Sequence, residues 1–378
     1  MSNIYQIPKL PLGYDLETKA ILKQVIKAKS KLSELKGVAA TIPNEAILIS
    51  SLTLQEAKDS SEIENIVTTQ DDLYKAELNI QKQFITAATK EVLNYREAIQ
   101  LGFNLVRKDK ALSNNRIIQI QECLEQNKAG FRILPGTTLK SNDGSIVYTP
   151  PQDANQIVDY MNNLESFIND DNMCDCDPLI KMAIIHHQFE SIHPFYDGNG
   201  RTGRIISVLY LITNGLLDLP ILYLSRYITH NKGEYYRLIQ AIRDNKGDNF
   251  KEWEEWIMFI LTAVEQTSEE TIHLVKGISQ LMNKYKGILR PLFGKQYKHE
   301  LLNNLFFHPY TKIEFMEKDM MVQRNAATKY LNEIVKQGLL EKIKIGRENY
   351  YINIELMNLF LNHSNIETSV STIESITE

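Results

Sequence analysis

The chain has 378 residues, 43% hydrophobic and 24% charged, a globular composition with room for two or three domains. Its 42 basic and 47 acidic side chains leave a net charge of −5, which excludes whole-molecule attraction to nucleic acid or an anionic membrane as an organising force. Three cysteines are too few for a disulfide framework, the polar, proline-punctuated opening at Met1–Leu10 does not read as a signal peptide, and the apolar runs around Ile205–Ile212 and Trp256–Val264 are too short to span a bilayer, so the chain reads as cytoplasmic.

Residues 1–105 read as helical. Leu16 to Leu35 carries apolar residues at helical spacing with lysines on the other face, and Pro43 breaks the chain. The pattern predicts a helix from Glu45 to about Leu73. Within it Thr53, Ala57, Ser60 and Glu64 follow a 4-3-4 spacing and share one face, small enough for close helix approach and ending in a carboxylate. Ser61-x-x-Glu64 also fits a capping box, which would start a helix at Ser61. The residues alone leave both readings open. Helices are predicted next over Lys90–Leu105 and over Leu112–Gln126, the latter with Ser113 or Asn114 as its cap.

An extended stretch follows. Asp143-Gly144 lies between β-prone runs at Leu134–Lys140 and Ser145–Thr149, a short-range hairpin signal closed by Pro150-Pro151. A lone hairpin among helices is either a covering loop or a flap whose free edge pairs with an extended target segment. Asn155–Phe167 and Leu179–Ile192 are predicted helices. Cys174 and Cys176 lie between them in an acidic loop and read as thiols, since no second cluster completes four metal ligands. His186 and His187 read as packed helix residues.

Between two apolar-periodic runs lies His193-Pro194-Phe195-Tyr196-Asp197-Gly198-Asn199-Gly200-Arg201-Thr202-Gly203-Arg204. It reads as a tight loop and the start of a helix. The glycines let backbone N–H groups turn inward as an anion nest, and the helix adds its positive dipole end. Arg201 and Arg204 share a face and reach the same anion, so the pattern suits a polyphosphate. Asp197 at the loop mouth offers an oxygen ligand for Mg²⁺, His193 a base with a pKa near working pH, and Phe195 an anchor in the core. Together these groups suggest transfer from a nucleoside triphosphate.

The stretch resembles the Fic family signature, His-x-Phe-x-Asp/Glu-Gly-Asn-Gly-Arg-x-x-Arg, with every fixed position matched. The resemblance implies movement of AMP from ATP onto a protein hydroxyl. His193 would be the general base and Asp197 the Mg²⁺ ligand. Gly198, Asn199 and Gly200 would bind phosphates, with Thr202 and Gly203 in the same ATP-binding segment. Arg201 would stabilise developing charge and Arg204 would hold the γ-phosphate. Ser60-Ser61-Glu62-Ile63-Glu64-Asn65 resembles the family's inhibitory motif, Ser/Thr-x-x-x-Glu-Gly/Asn, which implies that Glu64 pairs with Arg204. Family members have a hairpin flap here, so the implied partner is a protein substrate bound extended along it.

Beyond the motif Gly215 ends a helix, and Pro220–Ser225 is extended or a short helix start. Lys232–Ala241 is helical and holds Tyr235 and Tyr236, which resemble a family Tyr-Tyr pair near adenine, Tyr236 being the residue assigned to the base. Trp253 and Trp256, in a helix over Glu252–Gln266, read as core, and Thr267–Lys286 continues as a connector. Helices over His299–Phe307, Thr311–Lys318 and Asn325–Gln337, a Gly338 stop, and a hairpin at Glu341–Tyr351 around Gly346-Arg347-Glu348-Asn349 form a winged-helix order. Residues 298–362 carry a net charge of only +1, which ranks partner docking or assembly, including a second copy of the chain, above DNA binding. The tail from His363 to Glu378 reads as disordered.

The predicted fold is therefore mainly α: a Fic-type helical core with a β-hairpin flap, plus a C-terminal winged-helix module. Expected segments are an N-terminal helical region (1–105), a catalytic core (106–266), a connector (267–297), the winged helix (298–362) and the tail (363–378). ATP and Mg²⁺ are the expected cofactors. The rival readings are removal of AMP by the same site and a nucleotide-sensing transcription regulator.

Overall fold

The computed structural model describes residues 5–77, 85–141, 143–245, 247–345 and 348–361; the tail from His363 and the Gly346-Arg347 turn tip lie outside them. Two units form, neither continuous in sequence. One takes Met1–Lys36, Leu52–Val67 and Lys90–Glu269, the other Gly37–Ser51, Thr68–Thr89 and Glu270–Glu378.

In chain order, helices α1 (Lys19–Ala39), α2 (Glu45–Ile63), α3 (Gln70–Glu77), α4 (Ala87–Asp109) and α5 (Asn114–Glu125) precede a hairpin of β1 (Leu139–Lys140) and β2 (Ile146–Tyr148). Helices α6 (Ala154–Asn169), α7 (Pro178–Ile192), α8 (Asn199–Thr213), α9 (Leu224–His230), α10 (Lys232–Asp244) and α11 (Phe250–Phe293) follow. The expected single helix from Glu45 to Leu73 is two. Asn65 adopts φ 62, a left-handed stop, and the Thr69 hydroxyl accepts from the Asp72 N–H at 3.1 Å to start α3. The capping box does not form, because α2 runs on through Ser61, whose hydroxyl is buried without a partner.

The first unit is built around α7 and α8. Both are buried on nearly every side, and polar residues they enclose, such as His186, His187 and Arg204, are held by hydrogen-bond partners. Pro178 opens α7, and the Asp177 carboxylate accepts from the Leu179 N–H at 2.9 Å. His186 and His187 are packed residues, as expected. The His186 ring bonds Ser207 Oγ at 3.0 Å and Tyr235 Oη at 2.8 Å, and His187 Nε2 bonds the Ile239 carbonyl at 3.2 Å. Trp253 and Trp256 are fully buried, the latter donating to the Ala183 carbonyl at 2.8 Å. Cys174 and Cys176 depart from expectation: they are joined as a disulfide.

The second unit carries α12 (His299–Phe307), β3 (Tyr310–Lys312), α13 (Ile313–Met320), α14 (Arg324–Lys336), β4 (Glu341–Ile345) and β5 (Glu348–Ile352). The strands form an antiparallel sheet in the order β3-β5-β4, with Thr311 opposite Tyr351 and Ile343 opposite Tyr350. Gly338 takes φ 72 after α14, the left-handed stop its sequence position predicts. β3 was not expected. Three residues show no usable alternation, and tertiary pairing decides their conformation. Tyr285 Oη, buried, lies 2.8 Å from the Leu339 carbonyl and 2.7 Å from Asn353 Oδ1, tying α11 to the segments flanking the sheet. No helix among the described residues is long and apolar enough to cross a membrane.

Candidate active site

α7 ends where His193 turns left-handed (φ 50) and its N–H still reaches the Phe189 carbonyl at 2.9 Å. The loop then folds onto the core through Phe195, fully buried with its ring centroid 5.3 Å from Phe131 and 6.3 Å from Phe189. Asn199 closes it: Oδ1 accepts from the Phe195 N–H and Nδ2 donates to the Phe195 carbonyl, each at 2.8 Å. The Asn199 amide is therefore spent on the loop, and only its backbone N–H is left for an anion, a narrower part than the sequence suggests.

Gly198 has φ 75, a conformation L side chains rarely adopt. A Cβ there would lie 2.2 Å from Glu125 Oε1, and one on Gly200 would lie 2.4 Å from Glu64 Oε1. Two carboxylates thus press on the N-terminus of α8, where free N–H groups favour negative charge. Thr202 and Gly203 face inward. Thr202 is fully buried, and a Cβ on Gly203 would meet the Phe189 ring at 3.1 Å.

Each arginine of the motif already has carboxylate company. Arg204, 1% exposed, donates from Nε to Ser60 Oγ at 2.7 Å and from Nη2 to the Ser60 carbonyl at 3.0 Å and Glu64 Oε1 at 2.9 Å. Burial works against its charge, and the Glu64 carboxylate together with Tyr235, Tyr95 and Glu190 more than offsets this, holding the guanidinium above its ordinary pKa. Arg201 donates to Glu91 Oε2 at 3.1 Å and Glu125 Oε1 at 2.9 Å. Burial pushes the Glu125 carboxyl up, against the pull of Arg201.

His193 has its Nδ1 buried without a hydrogen-bond partner. Burial first, then the cations Arg243 and Arg132, push its pKa down to about 3, below the near-neutral value the sequence suggests, so the ring is neutral but a weaker base than expected. Arg132, 1% exposed, sews the flap to this turn. Its N–H donates to the Pro194 carbonyl at 2.8 Å, its Nε to the His193 carbonyl at 2.8 Å, and its Nη2 to the carbonyl of Pro151 at the flap's other root. Tyr196 Oη accepts from the Ile133 and Leu134 N–H groups at 3.0 and 3.1 Å, and Tyr148 Oη donates to the Ser191 carbonyl at 2.8 Å.

Asp197 is exposed at the mouth, one Oδ accepting from the Gly198 N–H at 2.7 Å. No group of three or more His, Cys, Asp or Glu side chains able to hold a metal ion occurs among the described residues. Mg²⁺ fits a lone carboxylate beside a phosphate nest, since it binds through one or two carboxylates plus substrate phosphates and keeps several waters. On α10, Tyr235 is buried against His186, whereas Tyr236 is 45% exposed, so Tyr236 is the member of the pair free to meet a base.

Sequence reading singled out the loop residues, Ser60, Glu64 and Tyr236, and the structure brings His193, Asp197, Ser60, Glu64 and both arginines into the first unit around one helix end. It missed Glu91, Glu125, Arg132 and the role of Tyr196. Glu91 and Glu125 look like ordinary helix acids. Arg132 left one faint signal, a single cation in the otherwise uncharged run from Ala129 to Leu139.

Three family models match the chain: Fic/DOC family N-terminal over residues 22–104, Fic/DOC family over 111–211, and the C-terminal domain of protein adenylyltransferase SoFic-like over 281–356. The chain belongs to the Fic/DOC family. It is 29% identical over 192 residues to a probable protein adenylyltransferase of Aquifex aeolicus, covering 47% of this chain and 53% of that protein. It is 28% identical over 100 residues to protein adenylyltransferase fic-1 of Caenorhabditis elegans, covering 26% and 18%. The match thus spans about half or less of these relatives' length. A Fic family protein from Desulfovibrio desulfuricans G20 shares the fold, with a TM-score of 0.57 at 17% identity over 92% of this chain and 98% of that one.

Proposed function

We propose that the protein transfers AMP from ATP to a Ser, Thr or Tyr hydroxyl of a target protein, and that Glu64 holds the resting enzyme slow. The observation that carries this reading is Arg204, occupied by Ser60 and Glu64 beside a glycine nest and a neutral histidine. Neutral His193 takes the proton of the incoming hydroxyl. The hydroxyl oxygen bonds to the α-phosphorus as the bond to the bridging oxygen breaks, and pyrophosphate leaves. Backbone N–H groups at Gly198–Gly200 and the Arg201 guanidinium meet the charge that develops on the phosphates. Asp197 would hold Mg²⁺, which neutralises phosphate charge when bound. Arg204, released from Glu64, would grip the γ-phosphate and orient the α-phosphorus toward the hydroxyl. The target would lie extended along the β1–β2 flap, with Tyr236 against the adenine.

Glu64 keeps 35% of its side chain exposed, and this favours a second reading in which it orients a water for AMP removal. Incubating Glu64→Gly with α-labelled and with γ-labelled ATP tests the first. Label should enter protein from the α-phosphate alone. Transfer of γ-label, or no transfer by a folded variant, overturns the proposal.

A further inference from the structure

The first unit has a second recess, remote in chemistry from the phosphate loop. A cleft of about 1150 Å³ is walled by the N-terminal segment around Tyr5–Tyr14, by α6, and by the end of α10 and the start of α11. Among the described residues that line it none is acidic, and one, Arg243, is a cation.

Arg243 is only 7% exposed. Its Nε donates to Ser191 Oγ at 3.1 Å and its guanidinium lies 4.0 Å from the centroid of the Tyr148 ring. No carboxylate among the described residues lies within ion-pair distance of it; the buried Glu190 acts on it only from farther off, and burial pushes that carboxyl up to about 7. A guanidinium taken out of water without a counter-ion is costly, and such groups are normally paired. Two further donors at the cleft are unsatisfied. Trp253 is fully buried, yet its indole N–H meets no acceptor, and the buried Tyr5 hydroxyl has no partner. Two buried donors without a protein acceptor, beside a cation without an ion-pair partner, suit a ligand acceptor that carries negative charge. Tyr14 and Tyr160 also line the cleft, and their rings suit an aromatic or apolar body behind that charge.

We propose that this cleft binds a small organic anion, a carboxylate or phosphate monoester on an aromatic or apolar body, with Arg243 as counter-ion and Trp253 and Tyr5 as donors. The site is coupled to the phosphate loop through Arg243, which sits on Ser191, two residues before His193. An anion here offsets one of the cations that disfavour protonation of His193. Occupancy therefore makes the proposed base more basic, a consequence that rests on the reading of His193 given above, whereas the binding itself does not.

Trp253, one of the chain's two tryptophans, lines the cleft, so emission responds to its occupancy. The full chain is titrated with phenyl phosphate, benzoate and phenol, following tryptophan emission and heat. Phenyl phosphate or benzoate should bind saturably, with phenol weaker by at least about tenfold, the scale of one charge-assisted hydrogen bond. Arg243→Gln should lose that preference, Trp253→Phe should weaken anion binding by heat, and Arg204→Gln in the phosphate loop should leave it unchanged. The Trp253→Phe arm keeps the test decisive if Arg243→Gln does not fold. Equal binding of phenol and the anions, full binding by folded Arg243→Gln, loss with Arg204→Gln, or no saturable binding of either anion overturns the proposal. AMP transfer plays no part in these readouts, so failure there and failure here are told apart.

Discussion

Arg132 Nε donates to the carbonyl oxygen of His193 at 2.8 Å, so one buried guanidinium at the root of the flap fixes the backbone of the proposed base. The same side chain holds Pro151 at the other root. Flap and base are positioned by one group. Arg132→Met should lower kcat for target modification by about 10- to 100-fold, the scale expected for a small misplacement of a reacting group. The KM for ATP should move much less, since no phosphate-facing group is touched. Steady-state kinetics on a variant checked for folding decides it, and wild-type kcat would remove Arg132 from the site.

His193→Ala should abolish label transfer and leave ATP binding nearly intact. General bases contribute roughly 100- to 10,000-fold in rate without holding the nucleotide. Calorimetric ATP binding beside label incorporation checks both halves, and transfer at wild-type rate would assign the proton to another group.

Glu64→Gly should raise incorporation roughly ten- to a hundred-fold, the kinetic equivalent of freeing Arg204 from a charge-assisted bond of about 1.5–3 kcal/mol. Because Glu64 is about a third exposed, the lower end is expected. Glu64→Gly/Arg204→Ala should lose the gain. A double variant as fast as Glu64→Gly would mean that Arg204 is not what the carboxylate restrains.

Arg201 offers an independent test. Incoming phosphates must compete with Glu91 and Glu125 for it. Glu125→Gln in the Glu64→Gly background should tighten ATP binding, on the order of 3- to 10-fold for one weakened charge-assisted bond. Weaker binding in the folded variant would instead make Glu125 a support for the nucleotide.

Stability should depend on pH through His186, whose pKa burial pushes down to about 3 from an ordinary 6.5. The unfolded chain takes up this proton first as pH falls, so the contribution is complete above about 6.5 and lost toward 3, at up to ~1.4 kcal/mol per pH unit. Glu56, pushed up to about 7 by burial, acts in the opposite sense between about 7 and 4.5. Denaturant midpoints of wild type and His186→Gln across pH 4–7 isolate the histidine. The loss of stability on acidification should be shallower in the variant, and parallel curves would mean the ring is not held neutral.

The loop was legible because its chemistry is contiguous: nest, base, acid and arginines occupy twelve residues whose spacing is set by one turn and one helix. The face ending in Glu64 was legible as a helical spacing, but its target was not, since the residues from Glu64 to Arg204 are linked only by tertiary packing. The Glu91–Arg201–Glu125 cluster left no local trace for the same reason. Helix limits went astray where a single residue decides them, as Asn65 does by turning left-handed. β3 was invisible because pairing with β5, rather than any alternation of its own, makes it a strand.

Glu64 and Arg204 belong to one chain, and the two Ser60 contacts hold the helix end that carries the carboxylate. In the proposed scheme ATP competes against a tethered ligand, whose effective concentration is set by geometry and does not fall on dilution. The resting rate should accordingly be the same per molecule in a dilute assay and a crowded one. Any cellular activator would have to bend or displace the end of α2, because diluting the enzyme or raising its expression leaves this competition unchanged.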